Sequence, residues 1–360
     1  MLKLQNIKLY HFKNYLQKTI DFNKNIIGIC GNNGLGKTNL LDAIYFLCFT
    51  KSYFSKTDSA VVHHQTLGMR IEGNFSRNGQ SENVTCILRE NNRKEVQRNG
   101  EEYKKFSNHI GTFPAVMIAP DDVELITGTS DVRRKYVDTL LSQLDHQYLQ
   151  SLIDYNKVLQ HRNSLLKSAA ERGYVDDSLL DILTNQLIHP GTYIFNCRQK
   201  FLTNYLARVE KSYGEIAGAD EPLQIKYCSQ LLEDDFKKLL DIFRQKDLML
   251  QRTTVGIHKD DIECKLADES FKNIASQGQR KSLLFALKLQ EFKELKSAKG
   301  FAPILLLDDV FEKLDATRMQ NLLQFICVES ESQIFITDTH QERLQQALEK
   351  LKVPFQLTAL

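Results

Sequence analysis

The sequence predicts an α/β fold with a mixed sheet, an antiparallel β subdomain and an inserted helical lobe. Three observations predict it. A glycine-rich stretch, residues 31–36, stands between a short apolar run, Ile26–Cys30, and a helical pattern, Asn39–Phe49. Two Asn-Gly pairs, Asn78-Gly79 and Asn99-Gly100, adjoin strand-like segments, and Asn-Gly favours the two-residue hairpin turn that needs positive φ twice. From about Val132 to Gly214 alternation gives way to Leu140, Leu141, Leu144, Tyr148, Leu152, Tyr155 and Leu159, the three-to-four spacing of helices.

In chain order, Leu2–Leu9 alternates as a strand, Leu16–Phe22 forms a second, and Ile26–Cys30 is short and apolar enough to be a buried third. Segments on either side of Asn78-Gly79, and the stretch before Asn99-Gly100, give the antiparallel pairs. Pro114–Ala119 reads as one more buried strand. In the helical block, Gly173 and the Asp176-Asp177 pair separate two long helices, and His189-Pro190-Gly191 is expected to interrupt the second. Strand character returns at Leu223–Cys228, Pro303–Leu307 and Gln333–Thr337. The boundaries drawn from this pattern are 1–120 for the N-terminal part of the α/β lobe, 121–222 for the helical lobe, and 223–360 for the C-terminal part of the α/β lobe.

The chain has 360 residues, enough to bury a large core in two or more lobes. A net charge of +2 provides no global basic field, so any polyanion must be held by local patches. The opening segment reads as a strand and not a signal peptide, and no stretch is long and apolar enough to span a bilayer. The seven cysteines are scattered with no CxxC, which argues against a disulfide framework or a zinc site. A cytoplasmic protein with reduced thiols and no membrane partner is expected.

Gly31-Asn32-Asn33-Gly34-Leu35-Gly36-Lys37-Thr38, followed by Asn39, fits GxxxxGK[ST] in the strand–loop–helix context that motif requires. Its glycines allow consecutive backbone N–H groups to curl around phosphate oxygens, and the helix start adds a favourable dipole. The ligand read from it is ATP with Mg²⁺: Lys37 reaches the β/γ-phosphates and the Thr38 hydroxyl ligates the metal. Far downstream, Ile304–Leu307 is a buried run ending in Asp308 and Asp309. Carboxylates at the C-terminal edge of a parallel sheet face the crevice where nucleotide sits. Asp308 is expected to hold the Mg²⁺, and Asp309 to orient or deprotonate attacking water.

Ser276-Gln277-Gly278-Gln279-Arg280-Lys281 precedes a helical stretch and places a hydroxyl and backbone donors at its start, a second anion site. It resembles the signature motif of the SMC-like subgroup of ABC-type ATPase heads. In that family the signature of one subunit closes over the γ-phosphate bound by the other. Asp315 resembles the D-loop residue at that dimer contact, and His340 stands where the family places a switch residue near the γ-phosphate. No glutamine fits a Q-loop; Asp121, Asp122 and Glu124 occupy that region with different chemistry.

The interval between Lys37 and Asp308 is too short for the long coiled coil of SMC proteins. Over essentially the whole chain the sequence resembles the RecF family. The resemblance runs through His11-Phe12-Lys13-Asn14-Tyr15, through Ala119–Ile126 with Arg133–Asp138, and through Thr253–Asp261. The last is similar to that family's TxxGPHRDDL segment, with Ile257 in place of the proline and Lys259 in place of the arginine. The arginine many members carry after the P-loop helix is lacking. The resemblance implies a monomer that dimerises on ATP, with slow, DNA-stimulated hydrolysis resetting it. It also implies binding to duplex DNA or a duplex/single-strand junction, and work with RecR and RecO to load the RecA recombinase for gap repair, replication and SOS induction.

Two basic clusters are candidates for DNA contact: Arg89, Arg93, Lys94, Arg98, Lys104 and Lys105 around the second hairpin, and Arg133, Arg134 and Lys135 at the start of the helical lobe. Glu90, Glu95, Glu101 and Glu102 interleave with the first cluster, as on a solvated hairpin face. Competing assignments are a transporter ATPase subunit, a defence ATPase with a C-terminal nuclease domain, and a small-molecule kinase. The Ser-Gln-Gly-Gln turn, the helical block, and the roughly 20 residues after His340 are the features set against them.

Overall fold

The alternation at the N-terminus becomes β1 (Leu2–Phe12), which buries Leu2, Leu4, Ile7, Leu9 and Phe12. The computed structural model describes residues 1–217, 221–309 and 323–360. They form two compact units: Met1–Asp122 with Glu291–Leu360, and Val123–Gln290.

In the first unit β1 pairs antiparallel with β2 (Tyr15–Asp21) on one side and β4 (Met69–Arg77) on the other. β5 (Gln80–Leu88), β6 (Lys94–Arg98) and β7 (Glu101–Glu102) extend that sheet in the order β2-β1-β4-β5-β6-β7. Both Asn-Gly pairs make the expected turns: φ is 52° and 83° at Asn78 and Gly79, and 53° and 83° at Asn99 and Gly100. Register shifts between Leu4 and Asn6. There the buried Gln333 side chain stands in for a strand, its Oε1 accepting from the Leu4 N–H at 2.6 Å and its Nε2 donating to the Leu4 carbonyl at 2.8 Å.

The second sheet of this unit is wholly parallel. It comprises β3 (Ile26–Cys30), β8 (Ala115–Ile118), β12 (Ile304–Leu307), β13 (Ile334–Asp338) and β14 (Phe355–Ala359), in the order β14-β3-β13-β12-β8. β3, β8, β12 and β13 are buried along their whole length, which is why they read as unbroken apolar runs. Helix Lys37–Phe49 is buried almost all round. Its Leu40, Ile44 and Leu47 join Ile7, Leu9 and Phe75 of the antiparallel sheet to Ile27, Leu306 and Phe335 of the parallel one in a single core.

The second unit is built on helices Ser130–Leu144, His146–Arg172 and Asp177–Ala217, with the antiparallel sheet of β9 (Leu223–Cys228), β10 (Asp261–Leu266) and β11 (Glu269–Ser270). Helix Gln277–Lys299 begins in this unit. Residues 223–290 therefore fold with the helical block, whereas the sequence pattern alone groups them with the C-terminal α/β segment. Gly173, at φ 78°, caps the second helix as expected.

The His189-Pro190-Gly191 interruption does not occur. Helix Asp177–Ala217 runs through with Pro190 inside it. A helix-interior proline costs about 3 kcal/mol. Tertiary packing offsets it: Pro190 and Gly191 are buried, and Gly191 lies so close to the Phe236 and Tyr155 rings that an added Cβ would fall 2.4 Å from one and 3.0 Å from the other.

Buried polar groups hold this unit together through the segment 253–261. Arg198 donates to Asp138 at 2.7 Å, to Asp260 at 2.6 Å and to the Ile257 carbonyl at 2.8 Å, and the Tyr227 hydroxyl donates to Asp260 at 2.6 Å. His258 Nε2 donates to the Thr253 carbonyl at 3.1 Å, so its Nδ1 accepts from the Tyr155 hydroxyl at 2.7 Å. Burial, followed by the Lys259 and Arg134 charges, lowers the His258 pKa to about 4, against the pull of its bond to the Thr253 carbonyl. Between pH 6.5 and 4 the unfolded chain takes up a proton there that the folded chain does not, so stability falls as pH falls through that window. From pH 7 to pH 5 the loss from His258 is expected to reach at most about 2 kcal/mol. Urea unfolding at the two pH values, compared with His258→Gln, checks it; equal pH dependence in both proteins would refute it.

Candidate nucleotide-binding site

The loop 31–36 leaves β3 at the C-terminal edge of the parallel sheet and enters helix Lys37–Phe49. Gly31, Gly34 and Gly36 all have positive φ, at 152°, 87° and 103°. At Gly36 a side chain would be strained by the φ of 103°, and its Cβ, 2.5 Å from Asn14 Nδ2, would push that amide aside. Asn14 braces the loop from outside: its Nδ2 donates to the Leu35 carbonyl at 3.1 Å, and its Oδ1 accepts from Asn39 Nδ2 at 2.8 Å. The Tyr15 hydroxyl donates to the Gly36 carbonyl at 3.0 Å. Asn32, Asn33, Gly34 and Leu35 are exposed, while Lys37 is only 4% exposed. Its ammonium turns into the loop, donating to the carbonyls of Gly31 at 2.7 Å and Asn32 at 3.2 Å.

The sheet order brings the distant carboxylates to this loop. β13 lies between β3 and β12, and Asp338 at its end pairs in register with Cys30, the residue before the loop. Thr38 Oγ1 lies 3.0 Å from both Asp308 oxygens. Thr337 Oγ1 donates to Asp308 Oδ1 at 2.8 Å and accepts from the Asp309 N–H at 2.9 Å. Burial raises the Asp308 pKa, and the Asp309 charge adds to that; the Thr337 and Thr38 hydroxyls and the Lys37 charge act in the opposite direction. Asp309 has a left-handed φ of 43°, strained for a residue other than glycine.

His340 is exposed just beyond β13, its backbone N–H donating to Asp338 Oδ1 at 2.7 Å. Asp338 is buried and also paired with Arg343. Asp315 lies outside the described residues. In the region searched for a Q-loop, Asp122 turns inward, accepting from the Ala119 N–H at 2.9 Å and from the Tyr53 hydroxyl. The sequence reading missed Asn14 and Tyr15 as braces and Thr337 as the bridge between the two aspartates. Thr337 had a visible signal, standing three residues before His340 at the end of a buried run.

The Ser276 turn lies in the second unit. Ser276 and Gln279 cap one another: Ser276 Oγ accepts from the Gln279 N–H at 3.2 Å, and Gln279 Oε1 accepts from the Ser276 N–H at 2.7 Å. This is a capping box. Gln279 Nε2 also donates to Glu221 at 3.0 Å, and Glu221 accepts from the Tyr213 hydroxyl. Ser276 and Gln277 are exposed, with Gly278 and Gln279 half-buried behind them. Accepting the cap bond leaves the Ser276 O–H proton available for another acceptor.

The family model for the RecF/RecN/SMC N-terminal domain matches residues 3–358. The chain is 40% identical to the DNA replication and repair protein RecF of Flavobacterium johnsoniae, covering 96% of each chain, and 39% identical to that of Parabacteroides distasonis, covering 96% of this chain and 93% of the relative. The chain belongs to the RecF family. A solved RecF–ATP structure from the RecFOR pathway superposes with a TM-score of 0.86 at 30% identity, covering 94% of this chain and 92% of that one. The Smc head domain from Pyrococcus furiosus, at 16% identity and a TM-score of 0.54, shares the fold. No described helix is long and apolar enough to cross a membrane. ATP is named in the RecF structure similar to this chain, and here the loop 31–36, Lys37, Thr38, Asp308 and Asp309 stand together at one edge of the parallel sheet.

Proposed function

We propose that this protein is an ATP-dependent, DNA-binding recombination mediator that serves replication, gap repair and SOS induction. ATP binding drives its dimerisation on DNA, and slow hydrolysis resets it. The observation that carries this reading is that the motif residues fall on two different units. Lys37, Thr38, Asp308 and Asp309 converge on one sheet edge, while the capped Ser276 turn, exposed on the other unit, is free to face a second copy. Relatives named as DNA replication and repair proteins support the biological role, and the RecFOR pathway of the solved RecF structures supports RecR and RecO as partners.

In this reading the loop 31–36 and Lys37 bind the phosphates of ATP. The Thr38 hydroxyl and the Asp308 carboxylate, hard oxygen donors set side by side, fit Mg²⁺. The metal would supply charge that neutralises the phosphates and offsets the burial of Asp308. Asp309, with its N–H anchored on Thr337, orients attacking water, and His340 serves as the switch residue toward the γ-phosphate. Ser276, Gln277, Gly278 and Gln279 of the second copy complete the site.

Sedimentation with and without ATP tests this. Wild type is expected to dimerise with ATP. Ser276→Arg is expected to keep ATP affinity within about twofold and to weaken the ATP-dependent dimer at least about tenfold, or about 1.4 kcal/mol. A variant that dimerises like wild type would remove the composite site.

A further inference from the structure

Most of the cations first suspected of holding DNA are already engaged. On the hairpin sheet Arg89 and Arg93 pair with Glu95, Lys94 with Asp58, and Arg98 with Glu82. At the start of the helical block Arg133 grips Asp261 with two nitrogens, at 2.7 and 3.0 Å. A second group, which keeps Arg134 from those candidates and adds Arg252 and Lys259, stands in the second unit around the segment 253–261.

Arg134 Nη1 donates to the Asp260 carbonyl at 2.6 Å, which fixes its guanidinium beside Lys259. His258, next to Lys259 in the chain, bonds the Thr253 carbonyl at 3.1 Å, so the backbone that carries Arg252 turns back toward Lys259. Arg252 and Lys259 are exposed, and neither forms an ion pair among the described residues. The carboxylates around them are spent internally. Asp247 is engaged by Arg162 at 2.7 Å and by Thr254 at 2.8 and 2.6 Å, Asp260 by Arg198 and Tyr227, and Asp261 by Arg133. Asp131, one turn before Arg134, accepts from Thr129 and is the exposed acid that feels Arg133 and Arg134. Lys259 is held below its ordinary pKa by partial burial first and then by the Arg252 and Arg134 charges, with the Asp247 charge acting in the opposite direction.

We propose that Arg252, Lys259 and Arg134 form a phosphate-tracking surface on the second unit that grips the backbone of duplex DNA. The inference rests on the DNA-binding reading above and adds the place and chemistry of contact. The buried bonds of the segment hold these cations on a rigid base, so little ordering entropy is spent on binding. They contact phosphate and not bases, so they contribute affinity without sequence preference.

Fluorescence anisotropy with a duplex oligonucleotide, titrated across a salt series, tests it on the full chain with ATP. The Arg252→Gln/Lys259→Gln double variant is expected to bind about tenfold more weakly, and its plot of log affinity against log salt to be shallower by about 1 to 2. ATP affinity and the urea midpoint should stay at wild-type values, because neither side chain supports the fold. Lys259→Arg should retain wild-type binding, and Lys104→Gln/Lys105→Gln should leave the slope unchanged. A double variant with wild-type affinity and slope overturns the assignment while the DNA-binding reading stands. A wild type that binds no duplex overturns both.

Discussion

Lys37→Ala is expected to abolish measurable ATP binding, with affinity falling at least about a hundredfold, and to lose the ATP-dependent dimer with it. The ammonium is almost fully buried and donates to two loop carbonyls. Two neutral acceptors compensate a buried cation poorly, and triphosphate oxygens in the same place compensate it far better. Alanine removes the one full positive charge of the loop and leaves only backbone N–H groups and the helix start to hold the phosphates. Nucleotide protection provides a second readout. At ATP one hundred times its dissociation constant, wild type gains about 2.7 kcal/mol of stability, and the variant should gain none. Calorimetric titration with ATP and thermal unfolding with and without it measure both effects. Binding within tenfold of wild type would mean that Lys37 is not the phosphate ligand.

The parts of the site that were legible in the sequence are those whose chemistry is local. The loop 31–36 must follow a buried strand and open a helix, and β3 and helix Lys37–Phe49 are short-range patterns that reveal themselves. The Ile304–Leu307 run with its two aspartates is similar, because a strand buried on both faces is apolar throughout. The rest depends on long-range pairing. β14 becomes a strand only because β3 offers it a parallel edge, and nothing in Phe355–Ala359 forces that choice. Asn14 looks like an ordinary hairpin-turn residue until the fold sets it against Gly36. The Pro190 expectation failed because local propensity was outweighed by packing against Tyr155 and Phe236. The basic hairpin needed the fold for a related reason: sequence order interleaves its charges, and cross-strand register shows which glutamate each cation meets.

Arg162→Leu is expected to destabilise the second unit by about 3–5 kcal/mol. Arg162 and Asp247 are 1% and 0% exposed at the side chain, and meet at 2.7 Å. The same guanidinium donates to Thr253 Oγ1 at 2.7 Å and to Thr184 Oγ1 at 3.1 Å, tying helix His146–Arg172 to helix Asp177–Ala217 and to the segment 253–261. Leucine fills much of the volume but leaves a buried carboxylate without its cation. Thr254 still donates to Asp247 twice, which moderates the loss without neutralising the charge. Removing both charges as Arg162→Leu/Asp247→Leu should recover part of the stability, though not all, because the Thr254 N–H and hydroxyl then lose their acceptor at about 1–3 kcal/mol. Urea unfolding of the two single variants and the double closes the cycle. ATP affinity should change less than twofold in each, since the phosphate loop belongs to the other unit. A single variant as stable as wild type would show that this ion pair does not hold the unit together, and that apolar packing around Tyr148, Tyr155 and Leu187 suffices.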